Sequence, residues 1–350
     1  MNASCEPLPD LSLQGYQDRL DSLKRHIFPA ESVLILTHDY PDPDCLASAL
    51  GMAHLLKHWS VKSTVISFGG FVGRAENRAM IRYLNIPTVP FMLIEMHDFD
   101  RIIVVDVMPG GGNCSLPQQT TVHAVIDHHL ALPRTEDLFF HDVRQDIGAT
   151  STIITKYLAA ANCPIPQKLA TALFYGIKTD TNDMERVAST EDLECYRYLF
   201  DRIDNKLLGK IENPDRDLEF FRILHRTAES AVSYNAIGYA HMDKVSAPDY
   251  IAEMTDLFHS LEKLEWMICS GVFKKNIFFS IRSKNENEAG HHADRIAKML
   301  GGSGGGHGRA GAGKIPLNSE QGDNPQAFFE KALKEVFNIS EIHGTHLILQ

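Results

Sequence analysis

Apolar positions in the first half of the chain gather into short β-branched runs at Val33–Thr37, Thr64–Phe68, Ile102–Asp106 and Val122–Asp127. Between them, Leu46–His58 and Glu76–Leu84 carry helical spacing, and Thr150–Ala161 and Gln167–Ile177 continue it. This alternation predicts βαβ units and hence an α/β domain built on a parallel sheet. Around Asp201–Asp217 the pattern turns polar through Asn213-Pro214-Asp215 and then helical to about Ala228, which reads as a connector. Beyond it, strand-like runs at Ala236–Met242, Glu265–Phe273 and Ile277–Arg282 mix with helical segments near Tyr250–Leu261, His292–Leu300 and Pro325–Val336. A second, smaller α/β domain with a mixed sheet is expected there. The resulting division is 1–200 for the first domain, 201–228 for the connector and 229–350 for the second, with a cleft between the domains. A length of 350 residues agrees, because a single core stops growing at roughly 250–300 residues.

Composition narrows the function classes. With 44% hydrophobic and 23% charged residues the chain matches ordinary globular proteins, which excludes disordered and fibrous readings. No apolar run approaches the ~18–20 residues of a membrane span, and Met1–Asp10 lacks the basic and apolar segments of a signal peptide. No membrane association and a cytoplasmic location are therefore expected. The six cysteines are scattered without a C-x-x-C pair, so free thiols are expected rather than a zinc knuckle or a disulfide framework. A net charge of −11 argues against a long nucleic-acid ligand, which needs many Lys and Arg to neutralise its phosphates. Any phosphate ligand should be short. The stretch Lys274–Lys314 reverses the trend, with eight basic residues against three acidic ones, and it coincides with the most glycine-rich part of the chain.

The chemistry is suggested by where acids and imidazoles fall. Three predicted strands run into His38, into Asp106 and into Asp127-His128-His129. In open α/β sheets ligands bind beyond the carboxyl ends of the strands, so these termini should converge on one crevice. The first motif, His38-x3-Asp42-x-Asp44, can supply ligands to two neighbouring ions from one turn, and Asp180 is expected in a loop after a helix. One aspartate after a strand is ordinarily a cap or a turn former. Four acid- or imidazole-bearing segments of matching chemistry, three of them at strand ends, are not. Oxygen and nitrogen donors without thiolate suit manganese, iron(II), cobalt or zinc and argue against a soft-metal or structural zinc site; manganese is preferred, with cobalt or iron(II) as alternatives. Two cations sharing a bridging aspartate fit phosphoester hydrolysis. In the second half, Gly301–Gly313 is too rich in glycine for a regular helix or a central strand. Its Gly304, Gly305 and Gly306 amides, with His307 and Arg309, are expected to close on a phosphate, and Ser280-Ile281-Arg282-Ser283 forms a second candidate clamp.

Taken together these motifs resemble the DHH phosphoesterase family with its DHH-associated C-terminal domain, over roughly residues 20–340. Within it the chain looks most like the nanoRNase and adenosine 3′,5′-bisphosphate phosphatase branch, related to RecJ. The resemblance implies that His38 and Asp42 bind one metal and Asp44, His128 and Asp180 the other, with Asp106 bridging. It implies that Asp127 supports the ligands and that His129 faces the scissile phosphate. Arg282, Ser283, Gly304–Gly306, His307 and Arg309 would hold the substrate's terminal phosphate or nucleotide. The chain departs from the familiar pattern at Pro43, between the two aspartates, and at Ser303, where a further glycine is common. Short oligonucleotides, the bisphosphate nucleotide and cyclic dinucleotides are the expected substrates. Pyrophosphate or polyphosphate hydrolysis and a non-catalytic nucleotide-binding regulator are the alternatives, and a homo-oligomer is left open.

Overall fold

A computed structural model describes residues 11–129, 139–185, 188–285, 288–317, 324–340 and 343–348. The chain divides into two compact units between Pro214 and Asp215, inside the stretch read as a connector. In the first unit the elements in chain order are α1 (Tyr16–Ile27), β1 (Ser32–Leu36), α2 (Pro43–His58), β2 (Ser63–Phe68), α3 (Ala75–Leu84), β3 (Thr88–Pro90), β4 (Arg101–Val105), β5 (Ala124–Asp127) and β6 (His141–Val143). They are followed by α4 (Thr150–Ala160), α5 (Gln167–Asp180), α6 (Thr190–Phe200) and α7 (Asn205–Glu212).

The six strands form a wholly parallel sheet in the order β3-β2-β1-β4-β5-β6. The sheet grows outward from β1 to β3, and the chain then returns to place β4 on the other side of β1. That reversal makes the gap beyond the carboxyl ends of β1 and β4 the place where such sheets bind ligands. The apolar runs are explained by burial on both faces of the sheet. Val33 and Ile35 enter the core shared with α1, α2, α4 and α5, while Leu34 and Leu36 pack on the opposite face with Ile102, Val104, Val125, Leu116 and Val122.

In the second unit, α8 (Leu218–Ser230) leads into β7 (Val232–Tyr234), β8 (Ile237–Lys244), α9 (Asp249–His259), β9 (Trp266–Phe273) and β10 (Asn276–Ser283). Then come α10 (Ala289–Met299), β11 (Ser303–His307), β12 (Ala310–Pro316), α11 (Pro325–Val336) and β13 (Thr345–His346). The seven-stranded sheet runs β11-β12-β10-β9-β8-β7-β13 and is mixed, with β8 and β9 parallel and the remaining pairs antiparallel.

The glycine-rich segment corrects an expectation. It is not an irregular loop but a hairpin of β11 and β12, and β12 lies inside the sheet between β11 and β10. Gly304 and Gly311 are required by helix α10, which lies directly on these strands. A Cβ on Gly311 would stand 2.3 Å from the Ala289 carbonyl oxygen, and one on Gly304 2.7 Å from that of Ala293. The backbone entropy that glycine costs is offset by a close helix-on-strand approach that no larger residue permits.

Candidate metal centre

The site is assembled at the carboxyl ends of β1, β4 and β5. His38 follows β1, and its ring Nδ1 lies 2.9 Å from the Asp39 carbonyl oxygen. His128 follows β5, with Nδ1 3.2 Å from the Ile147 carbonyl. Carbonyls only accept, so both rings carry their proton on Nδ1 and present Nε2 as a lone pair, the tautomer a metal ligand needs.

Asp106 ends β4 in the left-handed region, at φ 61°, while its amide still donates to the Ile126 carbonyl of β5. Aspartate tolerates this conformation better than most residues. Its two oxygens address different partners: Oδ2 is 3.7 Å from His38 Nε2, and Oδ1 is 3.6 Å from His128 Nε2. Thr150 Oγ1 donates to Oδ1 at 2.8 Å and fixes the plane of the carboxylate.

Asp42 and Asp44 are set by the opening of α2. Asp42 is its N-cap, accepting from the Cys45 amide at 3.0 Å, and Pro43 takes the first helical position. The cap leaves Asp42 Oδ2 3.5 Å from His38 Nε2. Asp44 is buried and accepts from the Thr150 and Ser151 amides at 2.7 and 2.8 Å. The start of α4 thus points its partial positive charge at that carboxylate. Asp180 lies not in a loop, as expected, but at the end of α5, where Thr179 and Thr181 hydroxyls bond back to the preceding turn and favour continuing the helix. Gly176 lets α5 approach: a Cβ there would meet Ser151 Oγ at 2.4 Å and Asp44 Cα at 3.2 Å. Asp180 Oδ2 comes to rest 3.0 Å from His128 Nε2.

Asp127 is fully buried and holds the two histidines in place. Its Oδ1 accepts from the amides of His128 at 2.8 Å and His129 at 3.1 Å, and pairs with His129 Nδ1 at 2.8 Å. His129 Nδ1 also lies 3.9 Å from Asp106 Oδ1.

Three clusters whose ligand atoms lie within 4.8 Å of one another result: His38, Asp42, Cys45 and Asp106; Asp106, His128 and His129; and Asp44, His128 and Asp180. All six candidate ligands read from the sequence are brought together. The donor set fits a divalent cation. His128 Nε2 is buried and stands 3.0 Å from Asp180 Oδ2. A lone pair facing carboxylates is explained by a cation between them.

Electrostatics agree. Burial, then the charge of Asp180, pushes Asp44 up to about 6. Burial, then Asp44 and Asp42, holds Asp106 well above the usual carboxylate range. For His128 burial acts downward, but the Asp180 carboxylate outweighs it and raises the ring to about 9. Each raised group stabilises the metal-free fold fully below its unfolded pKa and loses that contribution as pH climbs through its folded one. The melting temperature of chelator-treated protein should therefore fall from pH 5 to pH 8, and added manganese should raise it more at pH 8 than at pH 5. Equal manganese shifts at both pH values would rule out carboxylate crowding as the cause.

Some contributors were not read from the sequence. Cys45 was set aside with the other thiols, yet it lies in the first turn of α2 inside the His38 cluster. Asp39 accepts from the Ser115 amide and hydroxyl at 2.9 and 2.8 Å, and the buried Asn77 donates to the Pro41 carbonyl at 2.9 Å, so both strap the His38–Asp44 loop. Asn77 lies in the first turn of α3, where Arg74 occupies the cap position without a side-chain cap bond. Asp192, in the capping box of α6, accepts from the Gly148 amide and the Thr152 hydroxyl and thereby fixes the start of α4.

The candidate substrate residues lie in the second unit. Asp256 accepts from Arg282 Nε at 2.6 Å, while Arg282 Nη1 donates to Ser280 Oγ and the Ile281 carbonyl, so the guanidinium plane is fixed. Ser283 is buried, with its hydroxyl accepting from the Asn285 amide and its own amide donating to the Arg309 carbonyl. Gly304, Gly305 and Gly306 lie on the edge strand β11, whose outer row of amides is not used by the sheet. The side chain of His307 lies outside the described residues.

Sequence comparison supplies the class. The profile of the DHH family N-terminal domain matches residues 32–177 and that of the DHHA1 domain matches residues 236–337. A DHH family N-terminal domain is thus present, with a DHHA1 domain following. An uncharacterised Methanocaldococcus jannaschii protein is 33% identical over 316 residues, covering 89% of this chain and 64% of its own length. A probable manganese-dependent inorganic pyrophosphatase of Enterococcus faecalis is 26% identical over 179 residues, covering 51% of this chain and 57% of its own length. The chain thus spans less than two thirds of either relative. The crystal structure of an exopolyphosphatase-related protein from Bacteroides fragilis shares the fold, with a TM-score of 0.73 at 16% identity over 93% of this chain and 98% of that one.

Among the described residues no helix is long and apolar enough to cross a membrane.

Proposed function

We propose that this chain is a phosphoesterase that works with two divalent cations on small phosphate compounds, with manganese preferred and cobalt or iron(II) as alternatives. The observation that carries this reading is Asp106, whose two oxygens face two different histidines, each within its own ligand cluster. A carboxylate so placed suits a bridging ligand. His38 and Asp42 would hold one cation with it, and Asp44, His128 and Asp180 the other. Bound there, the pair would supply an activated water and neutralise charge on the phosphoryl and leaving oxygens. The protein's own part is to fix these ligands rigidly and to manage one proton. Asp127 engages His129 at Nδ1, which leaves Nε2 to hold a proton and give it to a leaving oxygen.

For the substrate, short oligonucleotides of two to five residues, the bisphosphate nucleotide and cyclic dinucleotides are the leading reading. It is supported by the excess of basic residues in Lys274–Lys314, by the fixed Arg282 guanidinium and by the spare amides of β11. The acidic surface disfavours long polyanions. Inorganic pyrophosphate is the second reading, favoured by the match of half the chain to the Enterococcus faecalis protein. The test is a parallel assay of the purified protein with manganese against pApA, pAp, cyclic di-AMP and pyrophosphate. Turnover of a nucleotide at least about tenfold faster than pyrophosphate is expected, and a difference of that size corresponds to ~1.4 kcal/mol in the barrier. The reverse order would transfer the assignment to the second reading, and no turnover of any of the four would overturn the hydrolase.

A further inference from the structure

The two halves of the centre are chemically unequal, because only one contains sulfur. Cys45 occupies the first turn of α2, is completely buried and has its Sγ 3.4 Å from the Asp42 carbonyl oxygen. Its Sγ lies within 4.8 Å of the ligand atoms of His38, Asp42 and Asp106, whereas the Asp44, His128 and Asp180 cluster offers only oxygen and nitrogen. Resting on the two-cation reading above, we propose that Cys45 is a ligand at the His38 position and makes that position selective for a thiophilic cation such as zinc, cobalt or iron(II), leaving the other to manganese.

Thiolate and imidazole favour zinc and its soft neighbours, while carboxylates suit manganese and magnesium. A sulfur, a nitrogen and two carboxylate oxygens make four donors, the usual number for zinc. The backbone sets this placement: the Asp42 cap fixes the first turn of α2, and that turn brings Cys45 Sγ within 4.8 Å of the His38 ligand atom that Asp42 also faces. On binding, the thiol proton is released to solvent as the sulfur–metal bond forms. With Cys45 as a donor the centre is not free of thiolate, and manganese is then favoured at one position only.

The test uses the full chain stripped of metal and titrated with cobalt(II), followed by absorbance. A thiolate-to-cobalt charge-transfer band in the near ultraviolet should grow with one of two bound equivalents in the native protein and be missing from Cys45→Ser and Cys45→Ala. In competition, Cys45→Ser should weaken zinc at one position by on the order of 10- to 100-fold, with manganese affected much less. Two bound cobalt ions without the band in the native protein would overturn the role of Cys45 while leaving the hydrolase reading intact. A band that survives in both variants would overturn it as well, by assigning the sulfur to another cysteine. Failure to bind any cobalt would overturn the two-cation reading itself, and this inference with it.

Discussion

Asp106→Ala is expected to lower turnover by about a thousandfold or more, since losing a ligand common to both clusters removes several kcal/mol of transition-state charge stabilisation, and ~4 kcal/mol is about three decades of rate. The loss should be accompanied by weaker binding of both cations, because one oxygen of this residue faces His38 and the other faces His128. Metal analysis of the dialysed variant together with kcat separates the cases. Retention of both ions with near-native kcat would exclude a bridging role. Retention of one ion would show that Asp106 belongs to a single position.

Gly311→Val should strike stability rather than chemistry. Its Cβ would stand 2.3 Å from a backbone oxygen of α10 and 3.0 Å from the Ala293 side chain, so the helix itself would have to move. Overpacking in a well-ordered core costs about 1–3 kcal/mol and more when backbone cannot relax, so a loss of at least ~3 kcal/mol is expected. Gly305→Ala is the matched control, because nothing lies within 4 Å of its added methyl and no change beyond ~1 kcal/mol should follow. Urea unfolding monitored by Trp266, in β9, with Trp59 replaced by Phe, reads the second unit. Equal midpoints for the two variants would refute the tight α10 contact.

The strands β1, β4 and β5 were legible because burial on both faces leaves unbroken β-branched runs, and their acidic or imidazole endings marked the crevice. β3 and β6, each three residues long, carry too few positions to show a period. The β11–β12 hairpin was misread because glycine content signals irregular backbone only when nothing else explains it. Here the explanation is α10, a neighbour in space whose contact leaves no local pattern. Asp180 was placed in a loop because its acid looked like a boundary, while the threonines around it bond back and carry the helix on. Cys45 escaped because a lone cysteine has no spacing to read; only the cap at Asp42 brings it to His38.

Asp44 hangs from the opening of α4, and that opening is in turn held by Asp192 at the head of α6. The fit of any cation held by Asp44 would thereby be tied to Asp192, which lies outside the ligand clusters. Natural variation at Asp192 would retune affinity from a distance, and a screen confined to the pocket lining would overlook it.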